Sequence, residues 1–376
     1  MTAPSSPRCL VVGGGVVGLA VALALRRRQA EVVVLERSPS CGQGASAAAA
    51  GMLAVGAEAP DRGPFLDLCR ASLRLWPGWA RELSELSGVD PELQREGLLR
   101  VSGSEQGVER LEAQRLRHLD EGVPVSHLLD AAELRQLVPG LGDGALAGLD
   151  YPEDGHVHTH RLVEALVGAC RALGVQLRTR AEVEDLQLTG KGARARLGDG
   201  EELSGDVLLV CAGAWSSRLL PKRPQFTVEP VRGQIVALDP GAAVLPRIVF
   251  SDDGYLLQKR SGLVLAGATE ERVGDRPWPT ADVVARLIEM AAGLLPALAK
   301  ARFARAWAGL RPYAPEGLLA GRVSSGSALL VATGHFRNGV LLAPVTGELM
   351  ARAVMEGKDP AELEPFRPSR PAAAAR

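Results

Sequence analysis

The chain lacks a disulfide framework. Its five cysteines, Cys9, Cys41, Cys69, Cys170 and Cys211, are odd in number and form no CxxC pair. That excludes a cysteine zinc site as well, and it points to reduced thiols in a cytoplasmic protein. Charge of one sign is also missing: 43 Lys and Arg stand against 44 Asp and Glu among 376 residues, so no global field recruits nucleic acid or an anionic membrane. No uninterrupted apolar run reaches transmembrane length. The first apolar stretch is short, follows Pro and Ser, and is needed as a strand, so it does not read as a signal peptide. There is no internal repeat, and the Pro- and Ala-rich end over 366–376 reads as a loose tail.

What is present starts at once. The apolar run Cys9-Leu10-Val11-Val12 meets Gly13-Gly14-Gly15-Val16-Val17-Gly18 and then a helical pattern from Leu19 to Arg28. A second apolar run, Val32 to Leu35, ends at Glu36, at the distance where an acidic side chain accepts ribose hydroxyls. Strand, glycine turn, helix and acidic strand end make a βαβ unit that binds a dinucleotide. Gly13 allows the tight turn, Gly15 lets the backbone approach a pyrophosphate, and Gly18 lets the helix pack closely. The helix N-terminus then offers N–H groups and a positive dipole end to the phosphates.

Further along, Gly42 to Leu53 is built of small residues that let the main chain pass close to a flat ring system. The alternative is an ordinary alanine-rich helix start capped by Ser46. A helical period runs from Arg161 to Leu173, followed by a short strand at Val175. Buried strands are expected at 207–210 and 329–332, and a closing helix at about 345–356. Segments of about 86–154 and 226–304 carry no nucleotide signature and suit an antiparallel sheet with amphipathic helices. His156, His158 and His160 alternate, but no carboxylate or cysteine cluster lies at ligand spacing, so they read as a polar strand end and no metal is expected.

Taken together, Gly13 to Gly18, Leu35-Glu36-Arg37, Ser46-Ala-Ala-Ala-Ala-Gly51-Met52-Leu53, Tyr255 to Gly262, Gly267-Ala-Thr-Glu270, Gly309-Leu-Arg-Pro312 and Gly334 to Pro344 resemble the FAD-binding amino-acid oxidases of the D-amino-acid oxidase group. Within that group the chain is most similar to the glycine oxidases of thiamine biosynthesis. The resemblance implies an α/β fold: a Rossmann-type FAD-binding domain, discontinuous over 7–85, 155–225 and 305–365, with a second, antiparallel-sheet substrate domain over 86–154 and 226–304. It implies non-covalent FAD held by Gly13, Gly15, Val16, Val17, Gly18, Glu36, Arg37, Ser46, Ala47, Ala49, Ala50, Gly51 and Met52. Val183, Cys211, Ala212, Gly213 and Trp215 would form further flavin-domain contacts, with Arg311, His335, Phe336, Arg337, Asn338, Gly339, Val340 and Leu341 completing the set. Covalent attachment is not expected, since 305–345 holds no cysteine.

The same resemblance places Tyr255, Arg311 and Arg337 at the substrate, and a planar guanidinium suits a carboxylate better than lysine does. The implied reaction is oxidative deamination of a small amino acid by hydride transfer to flavin N5, without a side-chain general base. The imine hydrolyses to a keto acid and ammonia, glyoxylate if the substrate is glycine, and oxygen is reduced to hydrogen peroxide. Glycine is the first candidate substrate; Gln258-Lys259-Arg260 departs from the Pro-Arg of glycine oxidases, and this difference and the region of Trp278 and Trp307 leave sarcosine, a D-amino acid or a cyclic secondary amine open. A dehydrogenase passing electrons to quinone or a carrier, and a non-catalytic FAD-binding subunit, stay open as alternatives. A homo-oligomer, common among relatives, is compatible with the sequence.

Overall fold

The structure, a computed structural model, describes residues 6–58, 62–190, 192–220 and 227–368. The apolar run at the start is the strand Arg8–Val12, the centre of a six-stranded sheet. It pairs in parallel with Glu31–Glu36 on one side and Val207–Val210 on the other. Gln176–Thr179 and Leu329–Thr333 extend the sheet in parallel, and Leu319–Arg322 closes one edge antiparallel. Strand alternation divides the run between two faces. Cys9 and Val11 face the core shared with the helices Val16–Arg27, Thr159–Ala172 and Ala343–Met355. Leu10 and Val12 face the core under a small three-stranded sheet, Val183–Thr189, Gly192–Leu197 and Glu202–Gly205.

A second, eight-stranded sheet is antiparallel except where Leu98–Ser102 lies parallel to Ile248–Ser251. Its longest ladder joins Glu229–Asp239 to Arg302–Tyr313 and places Gly233 opposite Gly309 and Val231 opposite Arg311. The register shifts once, so that Ala237 opposes Arg305 while Leu238 opposes Phe303, leaving Ala304 as the extra residue of a bulge. One face packs on the helices Ala131–Leu137 and Ala281–Leu294. The other face, with Ile235, Tyr255 and Leu257, turns toward the six-stranded sheet.

The first two strands and their helix lie within a few residues of their expected places, and the closing helix begins at Ala343, near the expected 345. Three expectations need revision. The strand carrying Arg311 pairs along its length with Glu229–Asp239, so 305–313 goes with the eight-stranded sheet and not with the nucleotide sheet. Phe366, expected in the tail, is buried at the end of the turn Ala361–Phe366 and meets Phe65 edge to face; residues 369–376 of that tail lie outside the described residues. His156, His158 and His160 do not share a strand face: His156 lies in the two-residue strand Gly155–His156, while His158 caps the helix that holds His160. Among the described residues no group of His, Cys, Asp and Glu is arranged to hold a metal ion, and no helix is long and apolar enough to cross a membrane.

Candidate active site

A cleft of about 750 Å³ runs between the two sheets. At one end the glycine turn sets the backbone. Gly13 has φ +109°, and a Cβ there would stand 2.4 Å from the Cys211 carbonyl oxygen, so only glycine fits. A Cβ on Gly18 would reach 2.0 Å from the Gly13 carbonyl oxygen, which places this residue in helix packing, away from the cleft lining. The N-cap is Gly15 and the first helical turn holds no acidic side chain, so the positive helix end is left uncompensated by the protein. Ser46 does not cap its own short helix, Ala45–Ala48; its hydroxyl accepts the Val16 N–H at 2.9 Å and ties the small-residue segment to that helix end.

Glu36 is fixed by two main-chain donors, Gly14 N–H to Oε2 at 2.7 Å and Ser38 N–H to Oε1 at 2.8 Å. Beside it Arg37 stacks 3.7 Å above the Trp215 ring. These residues, with Val183, Ala212 and Gly213, line the same part of the cleft. Cys211 also lines it, and burial pushes its thiol up to about 12, an inert packing group.

The other end is built from side chains. Tyr255 is 4% exposed, and burial pushes its hydroxyl up to about 12, so at neutral pH it remains an O–H donor. Arg311 donates from Nη1 to the Thr269 carbonyl at 2.8 Å and forms no ion pair with a described residue. Its guanidinium lies over Gly233, where a Cβ would meet Nη1 at 2.3 Å. Burial pulls this guanidinium below its usual value, the cost of a cation held in a dry site. A network behind it fixes Thr269: Gln234 N–H donates to the Thr269 hydroxyl at 3.0 Å, and Glu271 accepts from Thr269, Gln234 and the buried Arg232.

Arg337 is placed differently. It pairs with Glu58, which is 7% exposed, and lies 3.6 Å from Glu270. Burial works against its charge, but the Glu58 carboxylate outweighs burial and holds it protonated. Glu58 ends the short helix Val55–Glu58, whose first N–H groups are accepted by the buried Asp154. Burial raises that carboxyl to about 7 despite those donors.

Most expected site residues line the cleft: Val16, Val17, Ala47, Ala49, Ala50, Gly51, Met52, His335, Phe336, Gly339 and Val340 join those above. Three do not. Gly18 packs; Asn338 is taken up in the turn Phe336–Asn338, its N–H donating to the His335 carbonyl; and Leu341 is core, its carbonyl accepting from Ser72 and Trp76. Trp307 lines the cleft, whereas Trp278 is 55% exposed and lines none of it. Sequence reasoning missed Glu58 and Gly233. For Gly233 a signal existed, since a glycine inside a long strand marks a close approach; for Glu58 none did.

Comparisons with known proteins bear on this architecture. Residues 8–353 match the family described as FAD dependent oxidoreductase (DAO). The chain belongs to this family. It is 33% identical to the glycine oxidase of Geobacillus kaustophilus over 95% of both chains. The crystal structure of that organism's glycine oxidase superposes with a TM-score of 0.92 at 31% identity, covering 98% of this chain and 100% of that one. The chain is also 33% identical, over 96% of its length, to a bifunctional protein ThiO/ThiG of Synechocystis sp., of which it spans 53%. The chain thus spans about half the length of the first such relatives it matches.

The family's FAD fits the residues present. Gly13 and Gly15 line the cleft beside a helix end that carries no acidic side chain, and the N–H groups of Ala50 and Gly51, both in the cleft lining, donate to no described residue. A buried N–H without a partner is costly, and a bound ring system would supply the acceptors.

Proposed function

We propose that the chain is a FAD-dependent oxidase of a small amino acid, with glycine as the first candidate and non-covalent FAD as cofactor. The observation that carries this reading is the charge arrangement: Arg311 beside Tyr255 is a cation without an ion-pair partner among the described residues, while Arg337 is already neutralised by Glu58 and Glu270. One open cation fits one carboxylate. Arg311 takes it through two N–H groups, Tyr255 donates its O–H to the same group, and the α-carbon is thereby set toward the cofactor. Held by the glycine turn and the 46–52 segment, FAD would supply acceptance of the hydride from that carbon and transfer of its two electrons to oxygen. Glu58 is held by Arg337 and is no general base, so the substrate amine loses its proton to solvent on binding.

The imine product hydrolyses in water to the keto acid and ammonia, glyoxylate from glycine, and oxygen leaves as hydrogen peroxide. The relatives' names support glycine. The role of a cytoplasmic enzyme in thiamine formation follows the ThiO/ThiG likeness alone. The test is anaerobic: glycine, sarcosine, D-alanine and D-proline are added in turn while the flavin absorbance is followed. Bleaching by glycine, with recolouring and peroxide in air, is expected. Bleaching by none of them overturns the reading, and slow recolouring in air turns it toward a dehydrogenase.

A further inference from the structure

The segment Ala48 to Gly51 is suspended by its carbonyl groups. Ala48 accepts from the Trp307 indole at 3.0 Å, Ala49 from the Thr159 hydroxyl at 3.0 Å, Ala50 from the Lys259 ammonium at 2.7 Å, and Gly51 from the Val157 N–H at 2.9 Å. The anchors come from separate places: the strand Arg302–Tyr313, the start of the helix Thr159–Ala172, the turn after the strand Gly254–Gln258, and the link between His156 and that helix. Every carbonyl of the segment is thus engaged on the protein side. The N–H groups of Ala50 and Gly51 donate to no described residue.

Lys259 is the most constrained of the anchors. It is 7% exposed, and its three N–H bonds have three acceptors, the Ala50 carbonyl, the Val157 carbonyl at 2.8 Å and His156 Nδ1 at 3.2 Å. His156 is held in turn by Gln94 at 3.3 Å from Nε2. Burial of a lysine is costly and persists only where the charge is met by well-placed acceptors. Its neighbours in the expected departure from the family pattern do nothing of this kind: Gln258 braces its own hairpin, and Arg260 pairs with Asp90 at the surface. Lys259 also lies four positions beyond Tyr255, on the same alternating face of one strand and its turn. One stretch of chain therefore reaches the substrate end with its first side chain and the small-residue wall with its last.

We propose that Lys259 is a positioning residue for the flavin: by holding the Ala50 and Val157 carbonyls it sets the main chain of 48–51 against the ring system and fixes cofactor affinity and spectrum. This rests on the reading that the segment contacts the flavin. The side chain itself lines none of the cleft.

The test compares Lys259→Met, Lys259→Arg, Thr159→Val and Gly51→Ala. Apoprotein is titrated with FAD by fluorescence, and the holoenzyme's visible spectrum, midpoint potential, KM and kcat follow. Lys259→Met is expected to weaken FAD binding about tenfold, the loss of a hydrogen bond from a charged group. It should shift the visible maxima and the potential and lower kcat more than KM, with Lys259→Arg restoring most of each. Thr159→Val, which removes only the neighbouring anchor, should move the same quantities less; it decides the matter if Lys259→Met does not fold. Gly51 has φ +86° and a Cβ there would stand 2.2 Å from the Val157 carbonyl oxygen, so Gly51→Ala disturbs the segment directly. If Gly51→Ala loses FAD while the lysine and threonine variants bind it with unchanged affinity and spectrum, the proposal is overturned and the segment's contact with flavin stands. If none of the variants alters FAD binding, that contact itself is wrong.

Discussion

The two ends of the cleft are made by different means. At the end proposed for the nucleotide the wall is backbone: Gly13, Gly15 and the bare helix end leave it free of side chains, and Glu36 is held by main-chain N–H groups. At the end proposed for the substrate the wall is made of side chains, and each is set by a partner elsewhere in the chain: Arg311 by Thr269, Arg337 by Glu58, Tyr255 by the gap left by Gly267 on the adjacent strand. A local motif can carry the first kind of site, whereas the second needs strand register and charge balance to be right at once.

That contrast is open to direct attack. Arg311→Ala should lower kcat/KM for the amino acid roughly 30- to 1000-fold, about 2–4 kcal/mol for a charge-assisted clamp, with flavin content unchanged; steady-state kinetics on flavin-loaded protein checks it, and unaltered kcat/KM would break the division between the ends. Gly13→Ala is the converse. Strain at positive φ of about 1–3 kcal/mol, with a backbone clash added, should weaken FAD binding at least tenfold. Saturating FAD should then restore the KM of the wild type.

Gly233→Ala sharpens the comparison. Its backbone accepts alanine, and the atom met is the mobile end of Arg311, so the clamp is displaced and not lost. KM for the amino acid should rise roughly tenfold while the melting temperature stays within a few degrees. The smallest effect is one of pH. Burial pushes His335 down to about 4, and its Nε2 meets the Thr346 hydroxyl at 3.1 Å. The unfolded histidine takes up a proton near pH 6.5, which the folded one refuses until about 4, so this group makes stability fall as pH drops through that window. Between pH 7.5 and 5.5 the loss is about 1 kcal/mol. His335→Asn should reduce the pH dependence of the unfolding free energy, read from urea titrations, by that amount.

Legibility follows the same division. The βαβ unit, the strands 207–210 and 329–332 and the lining by Gly13, Gly15 and Glu36 were readable because turn, helix and strand chemistry act over a few neighbouring residues. Tyr255, Arg311 and Arg337 were found through motif resemblance, not spacing. Nothing local shows that the strand carrying Arg311 leaves the nucleotide sheet, since its pairing with Glu229–Asp239 is long-range. Glu58 carries no signal, because an acidic residue ending a short helix gains meaning only when Arg337 arrives beside it. Leu341 was misplaced for a related reason: its motif neighbours face the cleft, but its own carbonyl is used to hold Ser72 and Trp76.

The bulge at Ala304 has a consequence for how such a chain tolerates change in length. Upstream of it the strand begins with Arg302 and Phe303, both exposed; downstream, Arg305, Trp307, Gly309 and Arg311 alternate along one face of the cleft. A residue gained or lost before the bulge can be absorbed there, as an irregularity already present takes up the difference. The same change between Arg305 and Arg311 reverses the alternation and turns the guanidinium to the far side of the sheet. Insertions and deletions are therefore expected to be tolerated ahead of Ala304 and not beyond it, so that one unpaired residue marks where the strand is free to drift and where it is not.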